Sequence, residues 1–184
     1  MLKKLQKLSV VTLCLLAITA LTIGVAVAKQ QDYIPVSWEQ LIPADYDLEA
    51  LQNNLIEQYD SEILQSGGAE ADALYAQLQF LQDNAPVTKE YNETRIKIPG
   101  FVVPLEFDGD KITHFLLVPY YGACIHSPPP PPNQIVYVIL QEGVQIDDIY
   151  YPVYVNGLMR VERMDSELGA AGYTLYGDSV EPYI

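Results

Sequence analysis

From Thr94 onward, apolar and polar residues alternate with a period of two, the mark of strands that bury one face. In "TRIKIPGFVVPLEF", Ile96 and Ile98 oppose Arg95 and Lys97, Pro99-Gly100 reads as a bulge or bend, and Val102, Val103 and Leu105 carry the strand on. Asp108-Gly109-Asp110 is a turn signal, and "KITHFLLVPYYG" after it predicts a second strand. "QIVYVIL" predicts a third and "YYPVYVNGLMRVE" a fourth, bent at Asn156-Gly157. "GYTLYGDSV" predicts a fifth, preceded by "DSELGAAG" as a short helical turn. Five strands of this length predict a small barrel, which removes sheet edges and accepts long excursions between strands.

The preceding segment has a helical period. Ser37 is placed to cap a helix, with Gln40 at the capping-box offset. After Asp47, residues Leu48, Leu51, Leu55, Tyr59 and Ile63 recur at spacings of three and four, and Gly67-Gly68 is the expected stop. Leu74, Leu78 and Leu81 mark a second apolar face before Pro86. The pattern predicts an α+β protein: an N-terminal helical hairpin within 29–90 that covers one face or end of a barrel formed by 91–184.

The first 28 residues set the compartment. Lys3, Lys4 and Lys7 precede an apolar run, and Ala26-Val27-Ala28 supplies the small-x-small pattern of a cleavage site. This predicts a secretory signal peptide cleaved after Ala28 and a periplasmic protein, with a retained N-terminal anchor as the competing reading. No other run is long enough to span a bilayer as a helix. Thr12 and Leu13 do not make Cys14 a lipid-attachment site. Residues 29–184 then carry 7 basic against 24 acidic side chains, a formal charge of −17. Such a surface repels nucleic acid and anionic headgroups, so nucleic-acid binding is excluded as a main role.

One cysteine, Cys124, remains beyond the signal segment, in "YGACIHSPPPPPNQ". Cys124 and His126 stand at i and i+2, which face one side of an extended chain, and thiolate with imidazole suits zinc or copper. A third ligand must come from elsewhere. His114 is the other histidine; Asp147, Asp148 and Glu142 offer carboxylates, and Met159 or Met164 would suit copper. The same pair admits a thiol enzyme, with Cys124 as nucleophile, His126 as base and Asn133 or Gln134 as orienting group. It also admits a purely structural role, with Cys124 as a small buried hydrophobe. Pro128, Pro129, Pro130, Pro131 and Pro132 predict a polyproline II rod roughly 15 Å long. That rod either packs on its own barrel or docks a partner, and Asn133 and Gln134 are expected to serve carbonyls that it leaves unpaired.

With these residues in view, "PGFVVPLE", "FLLVPYYGACIHSPPPPPNQIV", "VNGLM" and "GYTL" resemble an uncharacterised family of secreted bacterial proteins and lipoproteins. It is a domain of unknown function with a Cys-Ile-His plus polyproline signature, and the resemblance runs from about Trp38 onward. It implies an OB-like barrel in the periplasm and a role beside ABC-type export or zinc-responsive envelope systems. It brings no enzymatic activity. The resulting expectation is a non-enzymatic binding or accessory module that meets an envelope protein or an ABC-type transport component. Cys124, His126, His114 and the stretch from Pro128 to Gln134 are its candidate site residues.

Overall fold

The computed structural model describes residues 32–60, 67–123, 129–146 and 148–183. Its centre is a closed five-stranded barrel. Strands β2 (Thr94–Asp108), β3 (Lys111–Val118) and β4 (Val136–Val144) are joined antiparallel in sequence order. Strand β8 (Tyr173–Pro182) pairs parallel with β4 and antiparallel with β5 (Val153–Arg160), and β5 closes the ring on β2. A short strand, β1 (Ile34–Pro35), lies parallel to β2 on the edge that β5 leaves free.

Alternation along the strands sends one set of side chains inward. Ile96, Ile98 and Val102 of β2, Phe115 and Leu117 of β3, Val136 and Val138 of β4, Val155 and Met159 of β5, and Tyr173 and Leu175 of β8 fill the barrel. Val36, Trp38, Leu41 and Tyr91 from the preceding segment join the same core. Trp38 sits on a 3-10 turn, Trp38–Leu41, and its Nε1–H donates to Pro99 O at 2.7 Å. The expected capping contact is made from the backbone side: the Ser37 N–H donates to Gln40 Oε1 at 2.8 Å.

Strand β2 is long because it serves two neighbours. Thr94 to Gly100 pair with β5 and Phe101 to Asp108 pair with β3. The change of partner falls at Gly100, where a side chain would stand 2.7 Å from Leu117 Cγ and 2.9 Å from Val118 O. No register slip occurs at Pro99-Gly100. The slips fall between Pro104 and Phe107, and pairing with β3 resumes from Phe107↔Ile112 to the turn. Asp108 and Lys111 flank a two-residue hairpin loop, with Gly109 at φ +63° in the position where a type II′ turn takes glycine.

The run "FLLV" at 115–118 is buried on both sides because the outer barrel face carries its own cluster. Val103, Leu116, Val118, Ala123, Ile135, Tyr137 and Ala171 pack there, with Met164 and Leu168 against them. Met164 immediately precedes, and Leu168 and Ala171 come from, the segment expected to form a helical turn. It is instead a small hairpin of β6 (Met164–Ser166) and β7 (Gly169–Ala171), tied by Ser166 Oγ–H to Gly169 O at 2.8 Å. The hairpin buries Ala171 and part of Leu168 and Met164 against the barrel, a gain that a single turn of helix does not offer.

Among the described residues, two α-helices precede the barrel. The first, Leu48–Ile56, is capped by Asp47, whose Oδ1 accepts from Ala50 N at 2.9 Å, and it stops short of Tyr59. The second, Ala69–Asp83, buries Ala71 and Leu74. Gly68, expected as a stop for the first helix, is the N-cap of the second, at φ +102°. Gln77 Nε2–H donates to Tyr59 OH at 3.1 Å across the pair. The connection that would make them a hairpin includes 61–66, with Ile63, and lies outside the described residues. Among the described residues, no helix is long and apolar enough to cross a membrane.

Candidate functional site

The excursion between β3 and β4 leaves the barrel at Val118 and returns at Val136. Tyr120 and Tyr121 start it in the open, Gly122 turns the chain at φ +84°, and Ala123 drops into the outer cluster, fully buried. Cys124, His126 and Pro128 lie outside the described residues, as does Asp147. The chain is described again from Pro129.

Proline rings leave carbonyls without intrachain partners, so the question is where those oxygens bond. Gln82, at the end of the second helix, donates Nε2–H to Pro129 O at 2.7 Å. Pro131 has φ −62° and ψ 155°, polyproline II values, and its carbonyl accepts from Gln134 N at 2.8 Å. Pro132 opens a 3-10 turn, Pro132–Gln134, and its carbonyl accepts from Gly172 N at 2.7 Å. Pro130 and Pro132 are buried while Pro129 faces solvent. This part of the rod therefore packs on its own barrel.

The side-chain amides next to it do different work from that expected. Asn133 is buried, and its Nδ2–H donates to Pro86 O at 2.9 Å. Gln134 Nε2–H donates to Trp38 O and to Asn133 O, each at 2.9 Å. Both amides tie the segment before the barrel to the arm; neither serves a carbonyl of Pro129–Pro132. Beside the arm, a groove of roughly 440 Å³ is bounded by Pro129, Pro130 and Pro132 on one side and by Ser166 to Ala170 on the other. Arg163 lies along it, with Nε 3.1 Å from Asp165 Oδ1 and Nη1 3.4 Å from Asp83 O.

His114 lies on β3, half-buried. Its Nδ1 is 3.1 Å from Thr113 Oγ1 and 3.2 Å from Glu106 Oε2, and its ring is 6.0 Å from that of Tyr137. Burial pushes the Tyr137 hydroxyl above the usual tyrosine range, and the Glu106 charge adds to the effect. His114 is four residues from Val118, roughly 13 Å along a strand. Met159 points into the barrel core, away from the arm, whereas Met164 packs in the outer cluster with Ala123. Asp148 is used locally, its Oδ1 accepting from Tyr150 N at 2.8 Å, and Glu142 borders a cleft between β4 and β8. Among the described residues, no group of three His, Cys, Asp or Glu side chains gathers as a metal ligand set.

That cleft is the feature sequence reasoning missed. At roughly 670 Å³ it is larger than the groove beside the arm. Its trace in the sequence is glycine inside strand patterns, at Gly143 and Gly177, where isolated glycines signal bulges or close backbone approach.

Barrel, arm and outer cluster together define a small mixed α+β barrel protein with a proline arm strapped across one face. A model of the family described as "Protein of unknown function (DUF3299)" matches residues 38–182, and the chain belongs to that family. It is similar to a DUF3299 family protein of known crystal structure from Pseudomonas aeruginosa PAO1. The identity is 41% and the TM-score 0.62, covering 84% of this chain and 98% of that one. No curated protein matches the chain.

Proposed function

We propose that this protein is an exported, non-enzymatic binding or accessory module of the bacterial envelope, with the Cys124–His126–polyproline arm as its recognition or metal site. The observation that carries the reading is the anchoring on both sides of Cys124–Pro128. Ala123 is locked in the outer cluster, and Pro129 is held by Gln82. The five intervening positions, which include a thiol and an imidazole, are thus flanked by one residue held in the outer barrel cluster and one held by the second helix. Pre-set ends lower the ordering cost of capturing a ligand.

We further read the barrel as OB-like. Counting barrel strands alone, the order is 1-2-3-5-4 with strands 3 and 5 parallel, and this supports the reading. OB barrels take ligands on the face of strands 2 and 3 and on the loop between strands 4 and 5. Here those places correspond to the outer face of β3–β4 and to the β6–β7 segment, which the arm borders. The basic, apolar and small-x-small order of residues 1–28 supports export with cleavage after Ala28, and the envelope partner would be a transport or metal-homeostasis component.

The test is metal content. Protein purified without chelator should hold about one equivalent of zinc or copper per chain, lost in Cys124→Ala and in His126→Ala. A metal-free protein that takes up neither ion in titration removes the metal reading. Cell fractionation tests the location: recovery in the cytosol, with residues 1–28 intact, would overturn export.

A further inference from the structure

The β4–β8 cleft lies elsewhere on the barrel and shares no lining residue with the groove beside the arm. The parallel ladder between β4 and β8 runs from Val136↔Tyr173 to Leu140↔Gly177 and then stops. Both strands continue, β4 to Val144 and β8 to Pro182. Each is bent away from the other by an irregularity. On β4, four residues separate Ile139 from Val144 while β3 supplies one between Ile112 and His114, and Gly143 turns at φ +64°. A side chain at Gly143 would stand 2.9 Å from Lys111 Cβ. On β8, Asp178 is the extra residue between Gly177 and Ser179 where β5 has none between Gly157 and Asn156. Arg95 holds this Asp178 by an ion pair.

Bulges at barrel rims re-aim strands and end pairing. Two of them, one on each side of a single seam, hold it open. Gln141, Glu142, Gly143 and Asp178 make no strand pair among the described residues. Ser179 and Val180 are paired on the β5 side alone. Two strand edges therefore face one cleft, each a template for an added strand. Ile139, Val144 and Val180 give the cleft apolar walls, and Glu142 stands exposed at its rim.

We propose that this seam binds an extended, basic peptide segment of a partner protein by strand addition. Main-chain hydrogen bonds would supply affinity, and alternate side chains would meet the apolar walls. Charge selects the partner. Glu142 is exposed at the cleft, whose other acid, Asp178, is already paired with Arg95; no basic residue lines it, and the chain carries a net charge of −14.

The probe is a capped Lys-Val-Lys-Val-Lys peptide, with Glu-Val-Glu-Val-Glu as its acidic counterpart. Each is titrated into isotope-labelled protein in the form that cells accumulate, and amide shifts and hydrogen exchange are read by NMR. The basic peptide should give saturable shifts at Gln141–Val144 and Asp178–Val180, with new exchange protection there. The acidic peptide and the Glu142→Lys variant should bind on the order of ten-fold more weakly, with Glu142→Gln between. Absence of saturable shifts at those amides overturns the proposal, as does equal binding of the two peptides. Protection of the same amides in free protein that sediments as a dimer also overturns it, because a second copy would then occupy the seam.

Discussion

The hydroxyl of Tyr173 donates to the backbone carbonyl of Leu41 at 2.6 Å, joining the last barrel strand to a turn 132 positions earlier in the chain. The same oxygen accepts from Thr88 N at 2.8 Å. Burial of this doubly bonded hydroxyl pushes its pKa up to about 12 from an ordinary 10.

Tyr173→Phe therefore strands a buried carbonyl and a part-buried N–H, and should cost about 1 to 3 kcal/mol in urea unfolding. The pH dependence has a definite sign. The folded state binds the phenolic proton more tightly than the unfolded chain, so the contribution is complete below pH 10. It is lost as pH rises from 10 to about 12, by roughly 2 to 3 kcal/mol. A Tyr173→Phe variant should lose stability less steeply over that window. Parallel pH profiles for the two proteins would contradict the assignment.

Leu116→Ala tests the outer cluster. Leu116 is fully buried although it projects from the barrel's outer face. Truncating an exposed leucine would change stability little, whereas truncating a core leucine costs about 2 to 5 kcal/mol. The core value is expected from denaturant midpoints. A loss under about 1 kcal/mol would mean that the cluster opens readily in solution.

Gly172→Ala tests how closely the arm is seated. A methyl group there would stand 2.5 Å from Val87 Cγ1 and 2.7 Å from Pro132 O. Because the neighbour at 2.7 Å is backbone, the arm must shift to admit it, and an overpacking loss of about 1 to 3 kcal/mol is expected. Exchange protection of Gln134 N–H and Ile135 N–H should fall in parallel. A variant as stable as the parent, with both amides still protected, would show that the arm gives way without cost.

What the sequence made legible was local. The barrel strands appear where period-two alternation is strong, as in Ile96-Lys97-Ile98, because burial of one face leaves that imprint. The β6–β7 hairpin was unreadable, since Gly169, Ala170 and Ala171 are too small to show a face and each strand has three residues. Strand order was unreadable for a different reason: the parallel β4–β8 pair depends on which distant edges meet. Long-range hydrogen bonding misled in the same way. Asn133 and Gln134 sit beside prolines with spare carbonyls, yet their acceptors, Pro86 O and Trp38 O, come from 47 and 96 positions away. Cys124 and His126 could be named as chemically notable from residue types alone. The cleft between β4 and β8 could not, because two bulges leave only glycines as their trace.

Strand β8 has consequences for the order of assembly. Its edges are taken by β4 on one side and β5 on the other, so no chain lacking it can close the ring. A ribosome releases the β2–β3 hairpin early, but the pairing of Thr94 with Met159 waits for far more chain. Such distant contacts slow folding, since loop entropy is lost before the contacts are gained. The nascent chain therefore stays without a closed barrel through most of its synthesis.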